Sequence, residues 1–341
     1  MSKIKGPPTI NDVAALAGVS KRTVTRVLGR SEKVKQATRE KVEQVIKELN
    51  FAPNRQARGL AASQSFLIGL VFDVPTLFIN EAQRGILDLV EEQGYELVVH
   101  ACHINTERLV EDVARFVSRA HLDGVIILPP VSDVKGLGQK LNEIGCRYVR
   151  VASELNDEAW RSVATDYQPA IREMTDHLVD LGHRDIGFIA GPDTHVASLK
   201  RFNCFVQALA GHGLELPPEL VAQGNFDFDS GIEAARDLLT RERRPTAIFA
   251  ANDEMAFGVM NVAAELGLKI PDDLSVVGVD GTPFSTFVVP SLSTIIRKTD
   301  EMARLGTEKL LAQINEGPDA ARAFDTMVPP RFVARESTGP A

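Results

Sequence analysis

Apolar residues follow two different rhythms along this chain, and the change falls near Ser65. Before it, Ile10, Val13, Ala14 and Ala17 repeat at helical spacing, as do Val24, Val27 and Leu28 a few residues on. Thr9 with Asp12 three residues later gives the first helix a capping-box-like start, and Ser20 is a natural N-cap for the second. Gly18 supplies the permissive backbone between them. A third helix is predicted over 37–49, where Val42, Val45, Ile46 and Leu49 share a face that closes a small three-helix core.

From Ser65 onward, short apolar runs alternate with amphipathic ones. Strands are predicted over 66–72, 96–100, 124–128 and 147–151, with helices over 81–93, 107–120 and 134–144. The rhythm resumes with strands over 186–190, 220–223, 247–251 and 276–279, and helices over 169–181, 198–212, 230–241 and 255–266. Two successive βα series imply an α/β fold with two parallel-sheet lobes, and a last helix over 299–315 crosses back to the first lobe. Ligands of such sheets sit at the carboxyl ends of the strands, so the expected site is the cleft between the lobes. The domains are drawn at 1–50 for the helical head, 51–64 for a hinge segment and 65–341 for the body. Within the body, the first lobe takes about 65–164 and 295–328, and the second about 165–294 and 329–341.

Charge sharpens this division. Residues 1–60 hold 13 Lys and Arg against 5 Asp and Glu, a net of +8, which leaves 25 against 41 and a net of −16 in the rest. The basic side chains Lys21, Arg22 and Arg26, with Thr25, fall on the open face of the second helix, near the end that enters the major groove in a helix-turn-helix. A helical hairpin with a solvated basic face is the plainer alternative. A basic head on an acidic body favours DNA, because the head attracts phosphate while the body discourages indiscriminate sticking.

Composition narrows the remaining classes. Hydrophobic residues make up 44%, ample for a packed core, and the three cysteines (Cys102, Cys146 and Cys204) are too scattered for a zinc cluster or a disulfide framework. No metal and no cofactor are expected. The first eight residues lack the apolar run of a secretory signal, and no stretch approaches a membrane span, so a cytoplasmic protein without membrane contact is expected. An enzyme is disfavoured by the lack of a P-loop, a GxGxxG after the first strand, a His-Glu-x-x-His or a nucleophile elbow.

Taken in order, these features resemble the LacI/GalR family of bacterial transcriptional regulators over nearly the whole chain. The run Thr9–Leu28 carries most of the resemblance, with Thr38-Arg39-Glu40-Lys41-Val42 and Pro53-Asn54-Arg55 behind it. Leu181-Gly182-His183-Arg184-Asp185-Ile186, Asn252-Asp253-Glu254-Met255-Ala256, Leu274 to Asp280 and Pro290-Ser291-Leu292-Ser293-Thr294-Ile295 follow. The resemblance implies a helix-turn-helix domain on a two-lobed, periplasmic-binding-protein-like effector domain. It also implies a homodimer on a partly palindromic double-stranded operator, acting as a repressor whose affinity a small sugar or sugar derivative controls. DNA contacts are then expected from Thr9, Ser20, Lys21, Arg22, Thr25, Arg26, Asn54 and Arg55, and Leu60 stands where the family wedges a leucine into the minor groove. Gly59 departs from the commoner Ser or Gln beside it. Arginine favours guanine, so each half-site is expected to hold an important G.

For the effector, the resemblance points to Asp166, Arg201, Asn252 and Asp280, with Phe78 and Phe205 as ring-stacking walls and Asp73 and Arg297 also facing the cleft. A helix cap is the competing reading for each aspartate, and core packing for Phe205. Arg297 replaces a common Gln, and Val279-Asp280-Gly281 replaces the usual aromatic-Asp-Asp. Both departures shift the expected ligand toward a charged sugar or sugar acid, with a neutral sugar the plainest reading and purines a further one. A sugar receptor without a DNA role, or a regulator answering to a protein co-regulator, are the alternatives.

Overall fold

In the computed structural model, residues 8–28, 34–51, 64–153, 155 and 159–341 are described. The chain divides into two units, one ending at Phe66 and the other spanning Leu67–Ala341.

The smaller unit is built on α1 (Ile10–Ala17), α2 (Lys21–Leu28) and α3 (Gln36–Glu48). The Asp12 carboxylate accepts from the Thr9 amide at 2.8 Å and from its hydroxyl at 2.6 Å, which closes the first turn of α1. Gly18 ends α1 at φ +62°, a left-handed backbone that only glycine adopts without cost. Ser20 Oγ accepts from the Thr23 amide at 3.1 Å and starts α2. Val13, Ala14, Ala17, Val24, Val27, Val42, Val45 and Phe51 form the core. Phe51, just beyond the predicted third helix, is part of that core as well.

The larger unit holds two sheets. In the first, β2 (Glu96–Ala101), β1 (Leu67–Phe72), β3 (Gly124–Ile127), β4 (Arg147–Val151) and β5 (Ser162–Val163) lie side by side in that order, all parallel. Its helices are α4 (Leu77–Glu92), α5 (Leu109–Ala120) and α6 (Leu137–Glu143). The second sheet runs β11 (Arg331–Val333), β10 (Ser293–Ile296), β9 (Ser275–Asp280), β8 (Ala247–Ala250), β6 (Ile186–Ala190) and β7 (Val221–Gln223). Only the β10–β11 pair is antiparallel. Helices α7 (Gln168–Asp180), α8 (Val196–Gly211), α9 (Phe228–Leu239) and α10 (Asp253–Glu265) cover this sheet. The long α11 (Thr299–Glu316) returns to pack on α4, β3 and β4 of the first lobe. At its start, a Cβ on Gly85 would fall 2.2 Å from the Asp300 carbonyl, so the two helices cross at a point only glycine fits.

Three strands, β5, β10 and β11, escape the sequence pattern. β5 has only two residues, and β10 begins with Ser293 and Thr294, polar side chains that are fully buried. They stay polar because each finds a partner: the Thr294 hydroxyl donates to Asp253 at 2.6 Å, and the Ser293 hydroxyl meets that of Thr338 at 3.0 Å. β10 also keeps Ile295 and Ile296 in the second sheet, so the chain leaves that lobe after Ile296 rather than at the expected 294/295 boundary. Helix α4 starts four residues before the predicted Glu81, since Thr76 Oγ1 caps it by accepting from the Ile79 amide at 3.4 Å. That correction places Phe78 on the first turn of a helix. No helix among the described residues is long and apolar enough to cross a membrane.

Candidate functional site

Two sites emerge, one in each unit. In the smaller, α2 buries Val24 and Val27 and turns Lys21, Arg22, Thr25 and Arg26 to solvent, with Ser20 exposed at its start. None of the three cations has an ion pair among the described residues, so their charge is available. The Thr25 hydroxyl donates back to the Lys21 carbonyl at 3.0 Å. Thr9 is exposed, and its two bonds to Asp12 hold that carboxyl below the usual carboxylate range. Asn54, Arg55, Gly59 and Leu60 lie outside the described residues.

The second site is the cleft between the two sheets of the larger unit, where the strands' carboxyl ends converge. Asp73 follows β1, Asn252 follows β8, Asp280 ends β9 and Arg297 follows β10. Phe78 comes from α4 and Arg201 from α8, so six of the eight expected effector residues meet here.

Electrostatics in the cleft centre on Asp280. Its φ of +121° is costly for a residue with a side chain and holds the carboxylate at the end of the sheet. Arg297 donates to Asp280 Oδ1 at 3.0 Å, and Arg201 Nη2 lies 4.0 Å from the same oxygen. Arg201, only 2% exposed, also donates to the Tyr167 hydroxyl at 2.9 Å and to the Ala251 carbonyl, with its guanidinium 4.7 Å over the Tyr167 ring. Asn252 caps α10 by accepting from the Met255 amide at 3.0 Å, and its amide nitrogen donates to the Phe226 carbonyl at 2.9 Å. It thereby fixes the backbone that presents the Phe226 ring. Asp73 accepts from the Ile104 amide at 3.3 Å.

Two expected residues fall elsewhere. Phe205 is fully buried in the second lobe's core, with its ring 5.7 Å from Phe188 and 5.2 Å from Phe249. Its helix turns it toward the sheet, not the cleft. Asp166 is exposed outside the cleft lining, and its carboxylate accepts from the Gln168 amide at 3.0 Å as a local cap. Phe226 is the aromatic wall of the second lobe instead. Asp253, next to Asn252 in the chain, is buried behind the cleft, where it accepts from Thr294 and twice from Thr282. Burial, with Asp280 nearby, pushes its carboxyl up to about 8.

His195 and Glu254 also line the cleft, though neither is among the expected effector residues. His195 sets its ring edge-on to Phe226 at 5.2 Å, and burial lowers its pKa to about 4 against the pull of Asp73. Glu254 Oε1 accepts from the Leu77 amide at 3.2 Å, and burial raises its pKa. Both residues start helices just beyond a strand's carboxyl end, and that position was the available signal. The space left among these side chains is about 90 Å³.

A basic three-helix head and a two-lobed α/β body with a polar cleft define the class of ligand-gated DNA-binding regulators. Residues 9–54 match the lacI family of bacterial regulatory proteins, and residues 175–338 match the periplasmic binding protein-like domain. The catabolite control protein A of Priestia megaterium is 31% identical over 97% of this chain and 99% of its own. A solved lac repressor dimer bound to operator and the anti-inducer ONPF superposes with a TM-score of 0.81 at 29% identity, over 98% of this chain and 100% of that one. The transcriptional regulator CelR in complex with cellobiose gives 0.69 at 30% identity, over 97% and 99%. The chain belongs to the lacI family, and it is a DNA-binding transcriptional regulator.

Proposed function

We propose that this chain is a cytoplasmic, homodimeric repressor whose grip on a partly palindromic operator is set by a small sugar or sugar derivative in the cleft. Regulation is by binding, without turnover. The observation that carries the reading is the set of arginines, carboxylates and two aromatic rings at the mouths of both sheets. Such groups offer hydroxyls both donors and acceptors, and the rings of Phe78 and Phe226 give flat apolar faces for a pyranose or furanose. The cellobiose bound to the related CelR supports the ligand class.

The cleft's charges refine the expectation drawn from Arg297. Its guanidinium is paired with Asp280 rather than held open for an anion. An acidic effector would have to separate that pair and face the carboxylate, so a neutral sugar suits the cleft better.

Arg22, Lys21 and Arg26 enter the major groove on this reading, and Asn54, Arg55 and Leu60 complete the contact. The second copy sits on the apolar face of Phe284, Phe287 and Val289, which are 48%, 72% and 93% exposed. Such a patch on a soluble regulator marks a protein contact, and the related lac repressor is a dimer.

A melting screen of the full chain against neutral sugars, sugar acids, sugar phosphates and purines tests the cleft. A ligand at about 100 times its Kd adds about 2.7 kcal/mol of stability. We expect a neutral sugar to raise Tm, with the shift lost in Arg201→Ala. A shift that survives that substitution would place the ligand outside the cleft.

A further inference from the structure

The crossing of α4 and α11, where Gly85 meets the Asp300 carbonyl, brings the second turn of α4 against the start of α11. Glu81 and Arg84 stand three residues apart on α4, so they share a face of it. With Thr299 and Asp300 they line a cavity of about 220 Å³. Asp280 is the one residue this cavity has in common with the effector cleft. At roughly 30 Å³ per water, the space equals about seven waters, the size of a small metabolite.

Several charged groups around this cavity already have partners. Lys298 pairs with Glu301 at 3.1 Å, Arg335 donates to the Ser285 hydroxyl at 3.0 Å and to the Leu292 carbonyl, and Asp280 holds Arg297. Glu81, Arg84 and Asp300 have no ion pair among the described residues. The Asp300 carboxylate accepts only from the Glu301 amide, at 2.9 Å, and Glu81 accepts no hydrogen bond from any described residue. Glu81 is partly buried, and it faces Asp280 at the end of β9, Asp300 on α11, Arg297 after β10 and Arg84 on its own helix. Burial and the two aspartates push its carboxyl up to about 7 against the pull of the arginines. A buried carboxylate without a partner is costly, and an arriving cation relieves that cost. Thr299 is a second, independent sign. It is only 2% exposed, yet its hydroxyl has no hydrogen-bond partner among the described residues, whereas buried polar groups are normally bonded.

We propose that this cavity is a second ligand site, which takes a small zwitterion of the α-amino acid kind. Glu81 and Asp300 receive its ammonium, with the Thr299 hydroxyl as a further partner. Arg84, exposed at the rim, receives its carboxylate, for which a guanidinium has the matching two-pronged geometry. Each unpaired charge around the cavity then meets an opposite one. The site does not rest on the sugar reading, because Glu81 and Arg84 line this cavity and not the cleft.

Calorimetric titration of the full chain with the standard L-amino acids tests it. For the tightest binder, its decarboxylated amine and its 2-hydroxy acid are the probes that each lack one charge. We expect the amino acid to bind and both probes to bind more weakly. The ionised form of Glu81 is the one that holds an ammonium, so affinity should fall about tenfold from pH 8 to pH 6. Glu81→Gln should weaken binding at pH 8 and flatten that profile. Arg84→Gln, an exposed change that spares the fold, should weaken the amino acid at both pH values, keep the slope and leave the amine probe unaffected. A panel in which nothing binds would overturn the site. So would a 2-hydroxy acid that matches the amino acid, or a pH profile that Glu81→Gln leaves intact. A blank sugar screen would leave this result untouched.

Discussion

On α2, Lys21, Arg22 and Arg26 stand in solvent with no ion pair among the described residues, whereas in the cleft Arg201 and Arg297 converge on the single carboxylate of Asp280. Free cations on a rigid helix suit a polyanion that arrives from outside and brings its own charge. Paired cations suit a ligand that brings hydroxyls and exchanges one set of hydrogen bonds for another. The same residue types thus serve two purposes, and the partner each has in the folded chain separates them.

The largest expected effect comes from splitting the dimer, because the free cations of one head act with those of a second. Phe287→Asp puts a charge into the apolar face of Phe284, Phe287 and Val289. Sedimentation should show monomers, and operator affinity should drop by about 10²–10⁴-fold, the usual gain from joining two binding modules. A stable dimer with unchanged operator binding would move the interface elsewhere.

Next in size is Arg22→Ala. If Arg22 reads a guanine, its loss should cost about 1–3 kcal/mol on the cognate site and relax preference at one base pair. Base substitution across the operator, measured by anisotropy, checks this. Equal weakening on all sequences would make Arg22 a phosphate contact instead.

The smallest effect concerns the cleft. His195 is held neutral by burial, with a pKa of about 4 against an ordinary 6.5. Above pH 6.5 both folded and unfolded chains leave it neutral. Between 6.5 and 4 only the unfolded chain takes up the proton, so this residue lowers stability as pH falls through that window. With partial solvent exposure the loss should be on the order of 1 kcal/mol. Denaturant melts at pH 7 and pH 4.5 should differ less in His195→Gln, and an identical difference would show that His195 is not held neutral.

How much was legible in the sequence follows the same division. The head was readable nearly residue by residue, because Thr9, Asp12, Gly18 and Ser20 act locally and α2's apolar face is set by spacing alone. Both lobes were readable from their alternating runs. β10 was not, because Ser293 and Thr294 look like a loop until Thr338 and Asp253 arrive from distant chain. In the cleft, the resemblance singles out Arg201, Arg297 and Asp280, which line it, but their mutual pairing does not show in the sequence, since it joins a helix to two strand ends. Phe205 and Phe226 illustrate the limit. Phe226 follows β7 and Phe205 lies within α8, and only the packing of Phe205 against Phe188 and Phe249 assigns it to the core.

The most direct test of the account joins the two regions in one titration. An operator duplex selected from a random pool would be titrated with the full-length protein at rising concentrations of the neutral sugar that most raises Tm. The sugar's own affinity would then be measured with and without operator. Coupling between sites is reciprocal, so the factor by which sugar changes operator affinity must equal the factor by which operator changes sugar affinity. We expect both factors to be equal, different from one, and lost in Arg201→Ala. A sugar that occupies the cleft and leaves operator affinity untouched would contradict it.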